Sequence, residues 1–214
     1  MSRVSIKERT RVGSRSYVGR LSNEPGLVNL AGHYDYLSRA YYVSQDYENN
    51  NERIRPSCEE MLDAYVSPLC LEKARLAGLP IPEYCMSNGH FDPPAIVDPV
   101  NPFTLKGRVV LKQGRAKSIA KSLTRNYTYA ICCQQLPPNS RIVHFRSVLG
   151  WASQPQYRDI SASIWEVFSI PLARVRVIQT ISNDYLFSDI SPLFVEDLGI
   201  REKRYIEERV TWVN

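Results

Sequence analysis

The chain has 214 residues, of which 43% are hydrophobic and 23% are charged, and its formal net charge is +5. That length suits one sizeable core or at most two small ones, and the composition is that of an ordinary globular protein. No apolar run approaches the roughly 20 residues that span a bilayer, and the basic first residues lack the apolar segment of a secretory signal. We therefore expect neither a membrane span nor a secreted protein.

The N-terminal region is predicted to be an arm followed by short elements. Residues 1–20 are basic and predict a flexible or loosely docked arm. Residues 27–31 predict a short buried strand. Helical spacing then covers residues 34–50, and residues 53–55 predict a second short strand.

Two further helices and a connector are predicted next. Ser57 is suited to cap a helix that runs to residue 65, with two glutamates in its first turn where the helix dipole favours them. Another helix is predicted from residue 67 to a stop at Gly78. Residues 79–105 contain six prolines, which exclude a long regular element and indicate a connector.

The second half alternates between strands and helices. Strands are predicted at residues 108–112, 127–134, 141–149, 172–180 and 185–189, and helices at 115–124, 157–168 and 194–210. Interleaved strands, helices and hairpins predict an α/β fold with a mixed sheet flanked by helices in a sandwich-like arrangement. We expect residues 21–214 to form a single domain that includes the connector at 79–105.

Charge is strongly segregated along the chain. Residues 99–158 contain ten Lys and Arg and no Asp or Glu, which leaves 17 basic and 22 acidic residues elsewhere. One folded region should therefore present a positive field and attract an anionic partner.

The sharpest anion site is predicted where a strand, a glycine turn at Gly114 and a helix start follow one another. Backbone N–H groups at such a helix start favour an anion, and the spacing of a P-loop is missing. A solvated helix face is the alternative. Phosphate, a carboxylate-rich peptide or nucleic acid would each satisfy the charge. The candidate anion-binding residues are Lys112, Arg115, Lys117, Lys121 and Arg125.

The five cysteines and three histidines do not have the spacing of metal ligands, so we predict no metal site and no cofactor. Reduced and mostly buried thiols in a cytoplasmic protein are expected, with a redox or metal role as the alternative. Cys132 and Cys133 are neighbours in a predicted strand, so their side chains should point to opposite faces.

A pocket is predicted after the first strand, where open α/β sheets place their ligands. His33, Tyr34 and Tyr41 are its candidate residues. The alternative for the tyrosines is core packing with the hydroxyl groups at the edge. No complete set of acid, base and nucleophile accompanies His33, so no catalytic residue is predicted.

Several segments resemble the N-terminal domain found ahead of RimK-like ATP-grasp ligases. The resemblance covers residues 17–195 and is carried by these residues: Val28-Asn29-Leu30, Tyr34, Tyr36, Ser38, Tyr41-Tyr42-Val43-Ser44, Pro56-Ser57, Phe145-Arg146-Ser147-Val148-Leu149-Gly150, Ile164-Trp165-Glu166-Val167-Phe168 and Pro171-Leu172-Ala173-Arg174-Val175. The chain departs from the family pattern at His33, at the proline-rich insert and at the basic helix.

The resemblance implies a recognition module that serves ATP-dependent carboxylate–amine ligation. ATP-grasp catalysis needs further subdomains with Mg²⁺-binding carboxylates, and 214 residues leave no room for them after the matched region. We therefore expect a non-catalytic accessory domain that works with a separately encoded ATP-grasp ligase. An RNA-, DNA- or phosphate-binding module is the alternative that the basic stretch favours.

Overall fold

A computed structural model describes residues 17–22, 25–100 and 107–213. They form the α/β fold that the sequence predicts. Their contacts define two compact units: unit 1 holds the described residues up to Tyr65 with Phe145–Val175 and those from Ile190 onward, and unit 2 holds Val66–His144 with Arg176–Asp189. The single domain stays a prediction, because units defined by contacts need not be domains that fold alone.

The described residues contain six α-helices and eleven strands. The helices are α1 (Arg39–Asn49), α2 (Cys58–Tyr65), α3 (Ser67–Leu76), α4 (Ala116–Leu123), α5 (Arg158–Phe168) and α6 (Ile200–Arg209). The strands are β1 (Val18–Leu21), β2 (Leu27–Asn29), β3 (Ile54–Arg55), β4 (Tyr84–Ser87), β5 (Ala95–Pro99), β6 (Arg108–Val110), β7 (Ile131–Gln135), β8 (Arg141–Val148), β9 (Leu172–Gln179), β10 (Tyr185–Pro192) and β11 (Val210–Trp212).

Unit 1 is built on a mixed four-stranded sheet in the order β11-β1-β2-β3. β1 is antiparallel to both neighbours, and β3 runs parallel to β2. Val18, Leu27 and Ile54 are buried together on this sheet. The arm predicted for residues 1–20 is thus wrong at residues 18–20, which pair within the sheet, and residues 1–16 lie outside the described residues.

Helix α1 begins five residues later than the sequence predicts. Ser38 caps it, and its Oγ accepts a hydrogen bond from the backbone N–H of Tyr41 at 3.2 Å. Leu37 has a φ of 63°, which is not helical. Tyr34 is fully buried and donates its hydroxyl to the carbonyl oxygen of Asn29 at 2.8 Å. The helical spacing of the sequence therefore does not extend the helix to Tyr34, because burial of Tyr34 in the core fixes its backbone outside α1.

The local signals for α2 and α3 are confirmed. Ser57 Oγ accepts from the N–H of Glu60 at 3.0 Å, and the N–H of Ser57 donates to Glu60 Oε2 at 2.8 Å. This reciprocal arrangement is a capping box. Gly78, with a φ of 80°, follows the end of α3 in the left-handed conformation that favours glycine.

Unit 2 is built on an antiparallel four-stranded sheet in the order β4-β7-β5-β6. Two of its strands, β4 and β5, lie within the predicted connector. The prolines there do exclude a long element, but they leave room for strands of four and five residues. The connector prediction is therefore corrected at these two strands.

Strand β7 begins at Ile131, four residues later than predicted. Arg125, Asn126 and Tyr127 all have positive φ values, between 47° and 68°, and so form a turn rather than extended backbone. Thr124 closes this turn, because its Oγ1 accepts from the N–H of Tyr127 at 2.8 Å.

The remaining strands form a three-stranded sheet in the order β10-β9-β8. The predicted hairpin between β9 and β10 is confirmed, with Asn183 in the left-handed conformation at a φ of 66°. The helix predicted at 194–210 is broken into a 3₁₀ turn at Val195–Asp197, then α6, then β11. In the described part of the chain, no helix is both long and apolar enough to cross a membrane.

Candidate functional site

A basic surface extends along α4 and the turns before and after it in unit 2. We call Lys112, Arg115, Lys117, Lys121 and Arg125 the α4 basic surface; all five are exposed. The first four form no ion pair with any acidic side chain that the structure describes. A cation without a carboxylate partner keeps its charge available to an external anion.

Helix α4 has two distinct faces. Ala116, Ala120 and Leu123 are buried in the apolar cluster that this helix shares with the sheet of unit 2. Lys117 and Lys121 are four residues apart and lie on the exposed side of the helix. The sequence pattern places Arg125 on the same stripe, but α4 ends at Leu123 and Arg125 lies in the turn that follows.

A cavity of about 430 Å³ opens beside the first turn of α4. Its lining residues come from the segment after β4, from the start of α4 and from the turn before β7: Gly89, His90, Phe91, Gln113, Ala116, Lys117 and Tyr127. Lys117 is the member of the α4 basic surface that lines it. Asp92, which is not one of the lining residues, is an exposed carboxylate 3.4 Å from His90 Nε2.

Sequence reasoning missed a buried network in the same unit. Arg176 Nη2 lies 2.6 Å from Asp98 Oδ2 and 3.9 Å from Asp189 Oδ2. Arg176 Nε donates to Ser188 Oγ at 2.9 Å. Gln134 Nε2 donates to Asp98 Oδ2 at 2.8 Å, and Ser188 Oγ donates to Gln134 Oε1 at 2.7 Å. Every group of the network therefore has a partner.

Two carboxylates stabilise the charged form of Arg176. Burial alone would lower the pKa of Arg176, but Asp189 and Asp98 outweigh it and raise the pKa above its usual value. The sequence offered one signal, since Arg176 stands in an apolar strand between Val175 and Val177.

The acid-free stretch is divided between the two units. Arg146 belongs to unit 1, where its Nε lies 3.1 Å from Glu202 Oε1 and its Nη1 donates to the carbonyl oxygen of Asp197. Glu202 is buried, with a side-chain exposure of 3%. Lys106 lies outside the described residues. Glu202, which is remote in sequence, thus neutralises Arg146, one cation of this stretch.

The three candidate pocket residues, all in unit 1, do not line one cavity. His33 lines a second cavity of about 190 Å³, together with Arg39, Phe194 and Glu196 among others. Tyr34 is buried in the core and Tyr41 packs edge-on against Tyr36; neither of these two tyrosines lines the cavity.

His33 is held beside this cavity by two contacts. Its Nε2 is paired with Asp35 Oδ2, and its ring packs edge-on against Phe194 with the centroids 5.6 Å apart. Burial raises the pKa of Asp35, while His33 opposes that shift. Within the described residues, no group of three or more His, Cys, Asp and Glu side chains is arranged to hold a metal ion.

The fold is similar to that of solved ATP-grasp ligases. A RimK domain ATP-grasp protein from Sphaerobacter thermophilus matches with a TM-score of 0.58 and 14% identity, over 81% of this chain and 74% of that one. D-Alanine–D-alanine ligase from Helicobacter pylori matches with a TM-score of 0.53 and 13% identity, over 71% of this chain and 61% of that one. L-Amino acid ligase from Bacillus licheniformis matches with a TM-score of 0.51 and 10% identity, over 71% of this chain and 45% of that one.

These likenesses show the fold alone, because the identities are low. No protein-family model matches the chain, and no curated protein matches it in sequence. The chain spans less than two thirds of the D-alanine–D-alanine ligase and less than half of the L-amino acid ligase. This chain is therefore an α/β protein with an ATP-grasp-like fold.

Proposed function

We propose that this chain is a non-catalytic recognition module of ATP-dependent carboxylate–amine ligation, and that it binds an anionic group on the α4 basic surface. The observation that carries the proposal is the set of four exposed cations, Lys112, Arg115, Lys117 and Lys121, without carboxylate partners among the described residues. The ATP-grasp-like fold supports the link with ligation. The resemblance in sequence supports a recognition role.

The basic surface has a physical basis for binding a multiply charged anion. Exposed cations attract anions at a distance, and the attraction falls as salt screens it. The cavity beside Lys117 offers one concave place for a negative group. The apolar side of α4 is fixed in the core, so the helix presents its charges from a rigid element rather than from a loop.

A separately encoded ATP-grasp ligase is the proposed partner. In that arrangement the chain would recognise a substrate and the ligase would supply the chemistry. Co-purification from native cells with such a ligase is the expected result, read by mass spectrometry. Release of ADP by the purified chain alone, from ATP, Mg²⁺, a carboxylate and an amine, would contradict the non-catalytic role.

Nucleic-acid or phosphate binding is the second candidate function. Tyr127 is exposed and lines the same cavity as Lys117. An aromatic side chain beside a cation suits a base stacked next to its phosphate.

Three probes separate these ligand classes. Inorganic tripolyphosphate, a glutamate-rich peptide and a single-stranded RNA oligonucleotide are each titrated into the full chain at low salt, and the affinity is measured by calorimetry or anisotropy. We expect binding of at least one probe, weakened when salt rises from about 50 to about 200 mM. The probe that binds most tightly identifies the class. Failure of all three at low salt would overturn the anion-binding function.

A further inference from the structure

Two cysteines face each other across strands β4 and β7. The register of this antiparallel pair places Cys85 opposite Cys133. At the end of the same ladder, the N–H of Gln135 donates to the carbonyl oxygen of Glu83 at 2.8 Å. Hydrogen-bonded and non-hydrogen-bonded pairs alternate along an antiparallel ladder, so Cys85 and Cys133, two residues further on, are again a hydrogen-bonded pair.

That position brings the two thiols to the same face of the sheet and within the Cα range of a disulfide. The Cα atoms of a hydrogen-bonded antiparallel pair are about 5.5 Å apart, and disulfides join Cα atoms that are about 4.4–6.8 Å apart. The Cβ atoms of such a pair are about 5.5 Å apart, beyond the roughly 3.5–4.5 Å of a disulfide, so closure draws the edge strand β4 toward β7. The Cys85 and Cys133 side chains already interact: burial raises the pKa of Cys133 to about 12, and the charge of Cys85 and a hydrogen bond with it act in the same direction.

The two thiols differ in access to solvent. Cys85 is exposed on the edge strand β4, whereas Cys133 is buried in the apolar cluster that packs against α4. Among the described cysteines, no other two are opposed in a strand register. Cys132 neighbours Cys133 in β7 and points to the other face of the sheet.

We propose that Cys85 and Cys133 are a redox modification site that closes to a reversible intramolecular disulfide when the protein meets a low-molecular-weight disulfide oxidant. The exposed Cys85 thiolate attacks one sulfur of the oxidant RSSR, which forms a mixed disulfide and releases RS⁻. Cys133 then loses its proton and attacks Cys85 Sγ, which forms the protein disulfide and expels the second RS⁻. Overall, the two protein thiols lose two electrons and two protons, and RSSR becomes two RSH.

The role of each cysteine follows from its position. The first step needs a thiol that the oxidant can reach, and this is the exposed Cys85. The second step needs no access from solvent, because Cys133 is held beside the sulfur that it attacks. An added dithiol reductant reverses both steps.

The test uses the full chain treated with oxidised glutathione, then alkylated and mapped by mass spectrometry without reduction. Cys132 and Cys133 are adjacent, so Cys133→Ser and its matched neighbour Cys132→Ser are compared. We expect a Cys85 cross-link in the wild type and in Cys132→Ser, its loss in Cys133→Ser and Cys85→Ser, and its removal by dithiothreitol. A cross-link that persists in Cys133→Ser would overturn the proposal. So would a wild type that carries only glutathione on Cys85, or that forms no disulfide at all.

Discussion

Unit 2 holds two groups of cations that differ in their partners. Arg176 is buried between Asp98 and Asp189 and makes hydrogen bonds as well as ion pairs. Lys117 and Lys121 are exposed on α4 and pair with no acidic side chain that the structure describes. The charge of a basic residue therefore does not define its role. The fold does, because it places carboxylates beside Arg176 and none of those that the structure describes beside Lys117 and Lys121.

The two groups also lie on opposite sides of the same sheet. Val97 and Cys133 face the apolar side of the sheet, which packs against α4. The residues that follow them in sequence, Asp98 and Gln134, belong to the Arg176 network. The alternation of a strand puts successive side chains on opposite faces. One sheet thus separates a structural cation from the cations that we propose to be functional.

The largest expected effect comes from removing the structural cation. Arg176→Met leaves the carboxylates of Asp98 and Asp189 poorly solvated and without their counter-charge. We expect the free energy of unfolding to fall by about 3–5 kcal/mol, measured by urea denaturation. The double variant Arg176→Met, Asp98→Asn removes both charges and should lose less than the sum of the two single changes. A loss below about 1 kcal/mol for Arg176→Met would break the distinction between the two groups.

A matched pair of glycines tests how tightly the network is enclosed. A Cβ added at Gly107 would lie 1.9 Å from Asp98 Oδ1 and 2.9 Å from the carbonyl oxygen of Val97, whereas one added at Gly114 meets nothing within 4 Å. Because Arg176 and Gln134 hold the Asp98 carboxylate, that side chain cannot simply move aside. We expect Gly107→Ala to cost about 1–3 kcal/mol of unfolding free energy and Gly114→Ala to be nearly neutral. Equal effects of the two changes would contradict a fixed Asp98.

The smallest expected effect comes from the exposed cations. Lys121→Met removes a charge that has no partner within the described residues, so we expect the free energy of unfolding to change by less than about 0.5 kcal/mol. Thermal unfolding followed by circular dichroism measures it. A loss comparable to that of Arg176→Met would show that Lys121 has a structural role, and the comparison would fail.

Local signals in the sequence predicted much of the fold. Ser57 and Gly78 mark the ends of their helices because the cap and the left-handed turn depend on nearby backbone alone. The strands predicted at residues 141–149, 172–180 and 185–189 correspond to β8, β9 and β10. These elements were predictable because their causes lie within a few residues of each other.

The elements that were missed depend on distant partners. β1 is a strand because β2 and β11 flank it. β4 and β5 are strands because β7 pairs with both. Tyr34 leaves the predicted helix because its side chain is buried in the core. None of these partners can be read from a local pattern of hydrophobic residues.

The candidate site shows the same limit. The α4 basic surface was predictable, because its residues are close in sequence and lie on either side of the glycine turn. The pairing of Arg146 with Glu202 and of Arg176 with Asp98 was not, because each pair is separated by more than 50 residues. Lys117 shares a cavity with His90 and Tyr127 only through the fold of unit 2.

One titration tests the central claim most directly. Inorganic tripolyphosphate is titrated at low salt into the wild type, Lys117→Glu/Lys121→Glu, and the control Arg201→Glu/Lys203→Glu, which makes the same change in net charge on α6 of unit 1. We predict that reversal on α4 weakens binding by at least about tenfold, or about 1.4 kcal/mol, while the control stays within about twofold of the wild type. Equal weakening in both variants, or none in the α4 variant, would contradict an anion site on the α4 basic surface.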